Sequence, residues 1–358
     1  MTPMQKSELM AKIENADPVQ GASLQGVDLS GARLSGAVFE NVDFRGCAMA
    51  GASFADSILS KCRFDGASLQ GAVMTGATFH ESSACDVDLS ESACVGFNAV
   101  QSRFDGSSFS KADLTEANFI KSSLAGARLA GARAVQLSLV ETRTEAIDLS
   151  DLLFFKSVVV EADLSAADLR GCRIDQSVMS KVRLAGQRLA GADWQRSQFM
   201  EADLDGVDLS GAQLQQCNFK GAKLTDANLV KAKAANTLFI ESRCERMDGS
   251  GADFFQSIWS DALLEDARFA GTRLEQAMLH RARCLRASFA RANLVYADFS
   301  HADVSGADFD GASWERTKFH QARRIGVRLP AGASILYEDP ELAAAEAWSP
   351  LDPPSQKR

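Results

Sequence analysis

The sequence predicts an all-β solenoid, a chain wound into stacked coils, and three observations carry that prediction. An apolar residue recurs at every fifth position from Leu24 to Phe319, with a few small or hydroxylated exceptions, through 60 consecutive blocks without an insertion or deletion. Neither the 3.6-residue period of a helix nor the 2-residue period of a strand keeps every fifth side chain on one side, so the chain must turn a corner once per block. All seven prolines, at positions 3, 18, 330, 340, 350, 353 and 354, lie outside the blocks. A backbone hydrogen-bonded from coil to coil has no place for a residue lacking N–H. Glycine concentrates at the fifth place of the block, where the chain must turn. Such a fixed short repeat is the signature of a solenoid.

Val207–Asp226 shows the block most clearly: VDLSG, AQLQQ, CNFKG, AKLTD. The third place, the centre, is Leu or Phe. The first place, the small site, is small or β-branched. The composition suits a large core, with 46% hydrophobic residues, 24% charged residues and 21 Phe. No basic region leads into an apolar run at the N-terminus, and no apolar stretch approaches the roughly 18 residues of a membrane span. A cytoplasmic protein is therefore expected. A net charge of −9 favours solubility more than any one partner.

Residues 1–20 precede the array. Thr2-Pro3 has the pattern of a helix cap followed by proline at the first helical position, and Leu9, Met10 and Ile13 fall on one helical face before Asp17-Pro18. A short helix closing the open end of the coils is expected. The array proper is assigned to residues 21–329. Its register fails at Arg324, and Leu329 restores it before Pro330.

Blocks such as Ala162-Asp163-Leu164-Ser165-Ala166 and Ala112-Asp113-Leu114-Thr115-Glu116 resemble the A(D/N)Lxx pattern of the pentapeptide-repeat proteins, over about residues 22–329. The resemblance implies a right-handed quadrilateral parallel β-helix with four blocks per coil. Centres and small sites then face inward and the other three places face water. Sixty blocks make about 15 coils, about 70 Å at roughly 4.8 Å per stacked strand. Four faces follow, with centres at Leu24, Leu29, Leu34 and Phe39 and every twentieth residue thereafter.

The core residues fit this frame. Cys47, Cys62, Cys172 and Cys217 occupy small sites, Cys94, Cys244 and Cys284 occupy centres, and only Cys85 faces outward. Buried thiols in a reducing compartment act as small hydrophobes, and their spacing does not suit zinc. Where a centre is small, the neighbouring small site is large: Phe97 before Ala99, Met247 before Gly249. Volume is conserved.

The faces differ in chemistry. On the first, Arg63, Arg103, Arg143 and Arg243 are each followed within the block by Asp65, Asp105, Glu145 and Glu245, a pattern of paired charges. Nucleic-acid binding instead wants an unbalanced basic stripe with stacking aromatics. The second carries Asp28, Asp88, Asp148, Asp168, Asp208, Asp248 and Asp308, and its VDLS or IDLS segments recur every sixty residues. That spacing points to duplication of a three-coil unit. Some pentapeptide-repeat proteins protect DNA gyrase by mimicking DNA, so gyrase modulation is the alternative function that the resemblance implies. Charge density opposes it. Duplex DNA carries one charge per roughly 1.7 Å, whereas the net charge of −9 spread over about 70 Å is about one per 8 Å. Arg128, Arg188 and Arg268 also interrupt the column, and the register leaves no inserted loop.

The fourth face is the unusual one. Val100, Ile120, Val140, Val160, Met200 and Ile240 follow its centres, and Val38, Ile58, Val158, Val178, Leu238, Ile258 and Met278 precede them. The third face adds Leu153, Phe155, Phe255, Val295 and Tyr296. β-Propensity favours Val and Ile in any strand, yet the other faces put Ser, Asp, Arg and Gln at the same places. A contiguous apolar stripe is therefore read as a protein-binding surface, for a partner protein or a second copy as homodimer. The residues assigned to it are Val100, Ile120, Val140, Val158, Val160, Val178, Met200, Leu238, Ile240, Ile258, Met278, Phe155 and Phe255.

His80, His280, His301 and His320 share this face. The last three fall on consecutive coils, as a metal site would need, but no carboxylate or cysteine completes a convincing set, and they are read as surface histidines. Beyond Pro330, residues 330–358 are expected to hold a short strand at Ser334–Tyr337, a helix opened by Asp339-Pro340 and running to Trp348, and a Pro-rich disordered tail from Pro350. No nucleophile, base and enclosed pocket come together, so no enzyme activity, cofactor or metal is expected. The expected function is a bacterial scaffold or adaptor. Some long arrays of the family lie beside secretion systems, type VI among them, but no motif in this chain carries that association.

Overall fold

The computed structural model describes residues 1–329 and 334–347. The protein is a parallel β-solenoid of about 17 turns, in which every bridge between blocks joins residues 20 apart, as in Ser23↔Asp43 and Asp43↔Arg63. Four blocks thus make one turn. The blocks from Leu24 account for about 15 turns, and strands at both ends lengthen the ladder. Thr2–Pro3 pairs with Ala22–Ser23, and Ile335–Leu336 pairs with Thr317–Lys318. The chain divides into two compact units, Met1–Asp208 and Leu209–Arg358.

Inward and outward places follow the block. Leu24, Leu29, Leu34, Phe39 and Phe44 are fully buried, and small-site alanines line the core beside them. Seven cysteines are buried, and Cys85 is half-buried. Burial pushes the thiols of Cys62, Cys94 and Cys172 up to about 12, so they are neutral packing groups. Phe97 fills the space beside Ala99, with ring centroids 5.3 Å from Phe79 and 5.7 Å from Phe119. A Cβ at Gly249 would lie 2.9 Å from the Phe254 ring, so this centre must be small.

At nearly every fifth place of the array φ lies between +49° and +73°. Glycine takes this conformation without strain, but Asp, Glu, Lys, Arg and Gln occupy it often. Stacked on the next turn, they pair: Arg246 with Asp226, Arg281 with Asp261 and Arg286 with Asp266, each at 2.6 Å.

Regular strands are concentrated in the first unit. On its fourth face a nine-stranded parallel sheet runs from Val19–Gln20 to Val178–Ser180, and on its third face four strands run from Arg133–Val135 to Asp193–Gln195. The second unit is joined mostly by isolated bridges such as Leu238↔Ile258.

The N-terminus corrects one expectation. Thr2-Pro3 does not open the helix. It is a strand whose flanking N–H groups bond to the first turn, Thr2 to Gly21 O at 2.8 Å and Met4 to Ser23 O at 2.9 Å. Proline fits there because it sits on an edge strand with its nitrogen pointing away. Helix α1 (Lys6–Glu14) follows, without a side-chain cap, and buries Leu9. At the other end α2 (Pro340–Glu346) is capped by Asp339, which accepts from Leu342 N–H. The expected course to Trp348 and the tail from Pro350 fall outside the described residues.

Candidate protein-binding surface

Parallel pairing at a 20-residue register decides which apolar side chains of the fourth face become neighbours. In the first unit Val100 pairs with Ile120, Ile120 with Val140 and Val140 with Val160. These four β-branched side chains point outward on adjacent strands. Ile120 is 36% exposed, and the others are half-buried against one another. Val158 and Val178 pair beside them. Ser180 then interrupts the column before Met200. Val38 and Ile58 form a separate pair, and at 43% and 48% exposed they are among the most open apolar side chains of the face.

The second unit carries its own shorter column, Leu238, Ile258 and Met278 on consecutive turns, with Ile240 half-exposed in the neighbouring column. The predicted stripe is thus a set of patches, the largest of them four strands wide. Phe155 and Phe255 prove less available than their exposure suggests. Lys156 lies 5.1 Å from the centre of one ring and Arg273 lies 4.2 Å from the other, cation–π contacts supplied by the same chain.

Pentapeptide repeats match the chain over residues 22–83, 86–133 and 177–329. The chain belongs to the pentapeptide-repeat family. Similar solved structures include trypsin-treated QnrB1, a plasmid-mediated fluoroquinolone resistance protein. It is 19% identical over 56% of this chain and 90% of its own, with a TM-score of 0.46. HetL, a pentapeptide-repeat protein involved in heterocyst differentiation regulation in the cyanobacterium Nostoc, is 21% identical over 88% and 96%, with a TM-score of 0.24. A pentapeptide-repeat protein of the Arabidopsis thaliana thylakoid lumen is 26% identical over 35% and 66%, with a TM-score of 0.11. None of the curated proteins matches the chain in sequence.

The charged faces of this pentapeptide-repeat protein are largely neutralised from within. On the first face Arg103 pairs with Asp105 at 3.0 Å, Arg143 with Glu145 at 3.3 Å and Arg243 with Glu245 at 3.2 Å, as their spacing predicts. Arg63 departs from that rule. It reaches Asp43 on the preceding turn at 3.1 Å, an acid that Arg103 and Arg143 lack, since Ser83 and Ser123 stand one turn before them. On the second face the aspartates hold the backbone turn. Asp28, Asp88 and Asp148 each accept the N–H two residues on at 2.9 Å, and Asp248 and Asp308 do so at 3.0 Å. Asp168 is paired with the Arg170 guanidinium. Carboxylates engaged in this way are a poor imitation of free phosphates.

The histidines require a second correction. His320 is 2% exposed, not a surface group, and a carboxylate does stand beside it. Glu346 of α2 lies 2.9 Å from His301 and 3.3 Å from His320. This acid was missed because it lies beyond the register, on an element whose placement the block pattern does not govern. His280 is separate and faces Asp298 at 3.0 Å. No helix among the described residues is long and apolar enough to cross a membrane.

Proposed function

We propose that this protein is a non-enzymatic scaffold or adaptor that binds protein through the apolar patches of its fourth face, a second copy being one eligible partner. The observation that carries the reading is the ladder Val100–Ile120–Val140–Val160, four in-register apolar side chains on the outside of a sheet. The same strand place elsewhere in this sheet holds Glu40, Ser60, His80 and Ser180, so strand propensity alone does not account for the ladder. The compartment in this reading is the bacterial cytoplasm, supported by eight free thiols. A role beside a secretion system, type VI included, draws on no residue of the chain.

The test is the double variant Ile120→Asp, Val140→Asp. Both side chains point outward, so circular dichroism should be unchanged. Self-association in sedimentation equilibrium, or capture of a cross-linked partner, should fall at least about tenfold, the equivalent of about 1.4 kcal/mol. Unchanged assembly on both counts would sink the reading. DNA-mimicking modulation of gyrase is the alternative, and a supercoiling assay with and without quinolone separates the two. Protection or inhibition at micromolar protein would favour mimicry.

A further inference from the structure

Helix α2 buries none of its side chains, and Leu342 is 39% exposed. Apolar packing therefore does not explain how it is held against the last turns of its unit. Its side-chain hydrogen bonds to those turns run through Glu346, the final helical residue. One carboxylate oxygen lies 2.9 Å from His301 Nε2, and the other lies 3.3 Å from His320 Nε2 and accepts from the Gln321 amide at 3.2 Å. Hydrogen bonds from the two imidazoles hold this carboxyl below its ordinary value, His301 contributing most. A carboxylate at the C-terminal end of a helix faces the unpaired carbonyls, and the arrangement is sound only with positive charge in front of it.

We propose that His301, His320 and Glu346 form a binding site for a divalent transition metal, Zn²⁺ by donor chemistry, that clips α2 to the end of the solenoid. The ligand atoms of all three lie within 4.8 Å of one another, and the two imidazoles are edge-to-face at 5.5 Å. Zinc bonds of about 2.0–2.2 Å in a tetrahedron need donor separations near those already present between the carboxylate and each ring. Two imidazoles and one carboxylate suit zinc, whereas Ca²⁺ and Mg²⁺ prefer all-oxygen sets. His301 and Glu346 are 45 residues apart, so the ion closes a long segment and its binding energy becomes folding energy. Water fills the remaining coordination position.

His320 gives the site a distinctive signature. Its Nδ1 accepts the Asp339 N–H at 3.1 Å, which leaves the ring proton on Nε2, facing Glu346. Coordination through Nε2 moves that proton to Nδ1, so the Asp339 N–H loses its acceptor while the Asp339 carboxylate still caps α2 through Leu342 N–H at 3.0 Å. The competition makes the site weaker than one whose Nδ1–H already donates to an acceptor.

Untagged full-length protein is titrated with Zn²⁺ by calorimetry and with Co²⁺ by visible absorption. One equivalent is expected, with a tetrahedral Co²⁺ band, a rise in Tm with Zn²⁺ and faster exchange of the Asp339 amide. His301 and Glu346 side chains are 32% and 34% exposed, so His301→Ala and Glu346→Gln should fold, as circular dichroism verifies. Each should weaken Zn²⁺ binding at least about tenfold and abolish the Tm rise, while Cys85→Ser changes neither. Absence of stoichiometric binding, wild-type affinity in both variants, or loss of binding in Cys85→Ser overturns the proposal.

Discussion

In the first unit, the N–H groups of Cys62, Ser82 and Ser102 donate to hydroxyls one turn further on, those of Ser82, Ser102 and Ser122, at 3.0, 3.0 and 3.1 Å. In the second unit the N–H groups of Ser242, Ser257 and Thr272 donate instead to the carbonyls three residues back, at 3.2, 3.1 and 3.3 Å. Their hydroxyls accompany them, donating to the same carbonyls at 2.7, 2.7 and 2.6 Å. The same residue type at the same small site thus serves two corners. Where a hydroxyl of the next turn accepts, the local turn bond is absent, and before Cys62, Ser82 and Ser102 the block joins a continuous strand ladder; Val87, bonded to Ser107 in the same way, follows a block that keeps isolated bridges at Ser83. Where the local turn closes, the block keeps only an isolated bridge. The outward apolar ladder of the fourth face occurs where the first kind of corner prevails, which ties the candidate binding surface to the hydroxyl column beneath it.

The largest test of this contrast is in the core. Trp259 stacks on Phe239 at 3.9 Å and donates its indole N–H to Ser257 at 2.8 Å. Trp259→Ala should cost about 3–5 kcal/mol. In a solenoid each turn leans on its neighbours, so hydrogen exchange should show protection lost in Leu209–Arg358 well before Met1–Asp208. Equal loss in both would break the division into two units.

The corners themselves come next. Ser102→Ala strands the buried Ser82 N–H and should cost about 1–3 kcal/mol, whereas Ser242→Ala leaves its own N–H bonded and should cost less than about 1 kcal/mol. Denaturant midpoints measure both. Equal costs would refute the two-corner account.

The smallest effect is electrostatic. Asp43 is 3% exposed and sits between Arg45 at 2.8 Å and Arg63 at 3.1 Å. The Arg45 hydrogen bond holds its carboxyl below the ordinary 3.8. Its folded value is depressed, so its contribution is complete above pH 3.8 and is lost as pH falls through the folded value. Asp43→Asn should remove about 1 kcal/mol at neutral pH and flatten the acid limb of stability. Asp266, lowered by Arg286, is solvent-exposed in the second unit, and Asp266→Asn should change stability much less, because water and salt screen the pair. Thermal melts between pH 2 and 7 compare the two.

Much of this was legible in the sequence because the block is a local device. A side chain at the third place faces inward whatever its partners, so the core, the outward Val and Ile columns and the single outward cysteine could be read directly. The pairing Arg103–Asp105 was legible for the same reason, since both residues lie in one block. Arg63 was not, because its partner Asp43 lies on the preceding turn, where Arg103 and Arg143 meet serine.

The five-residue register by itself determined the coil, its faces and the chemistry each face presents. Only the tertiary structure decided which corners become strands, which aspartates are consumed by turns, and that Glu346 closes on His301 and His320. Those outcomes depend on partners twenty or more residues away, or on an element outside the register, and a repeat specifies the direction of a side chain but not what it meets.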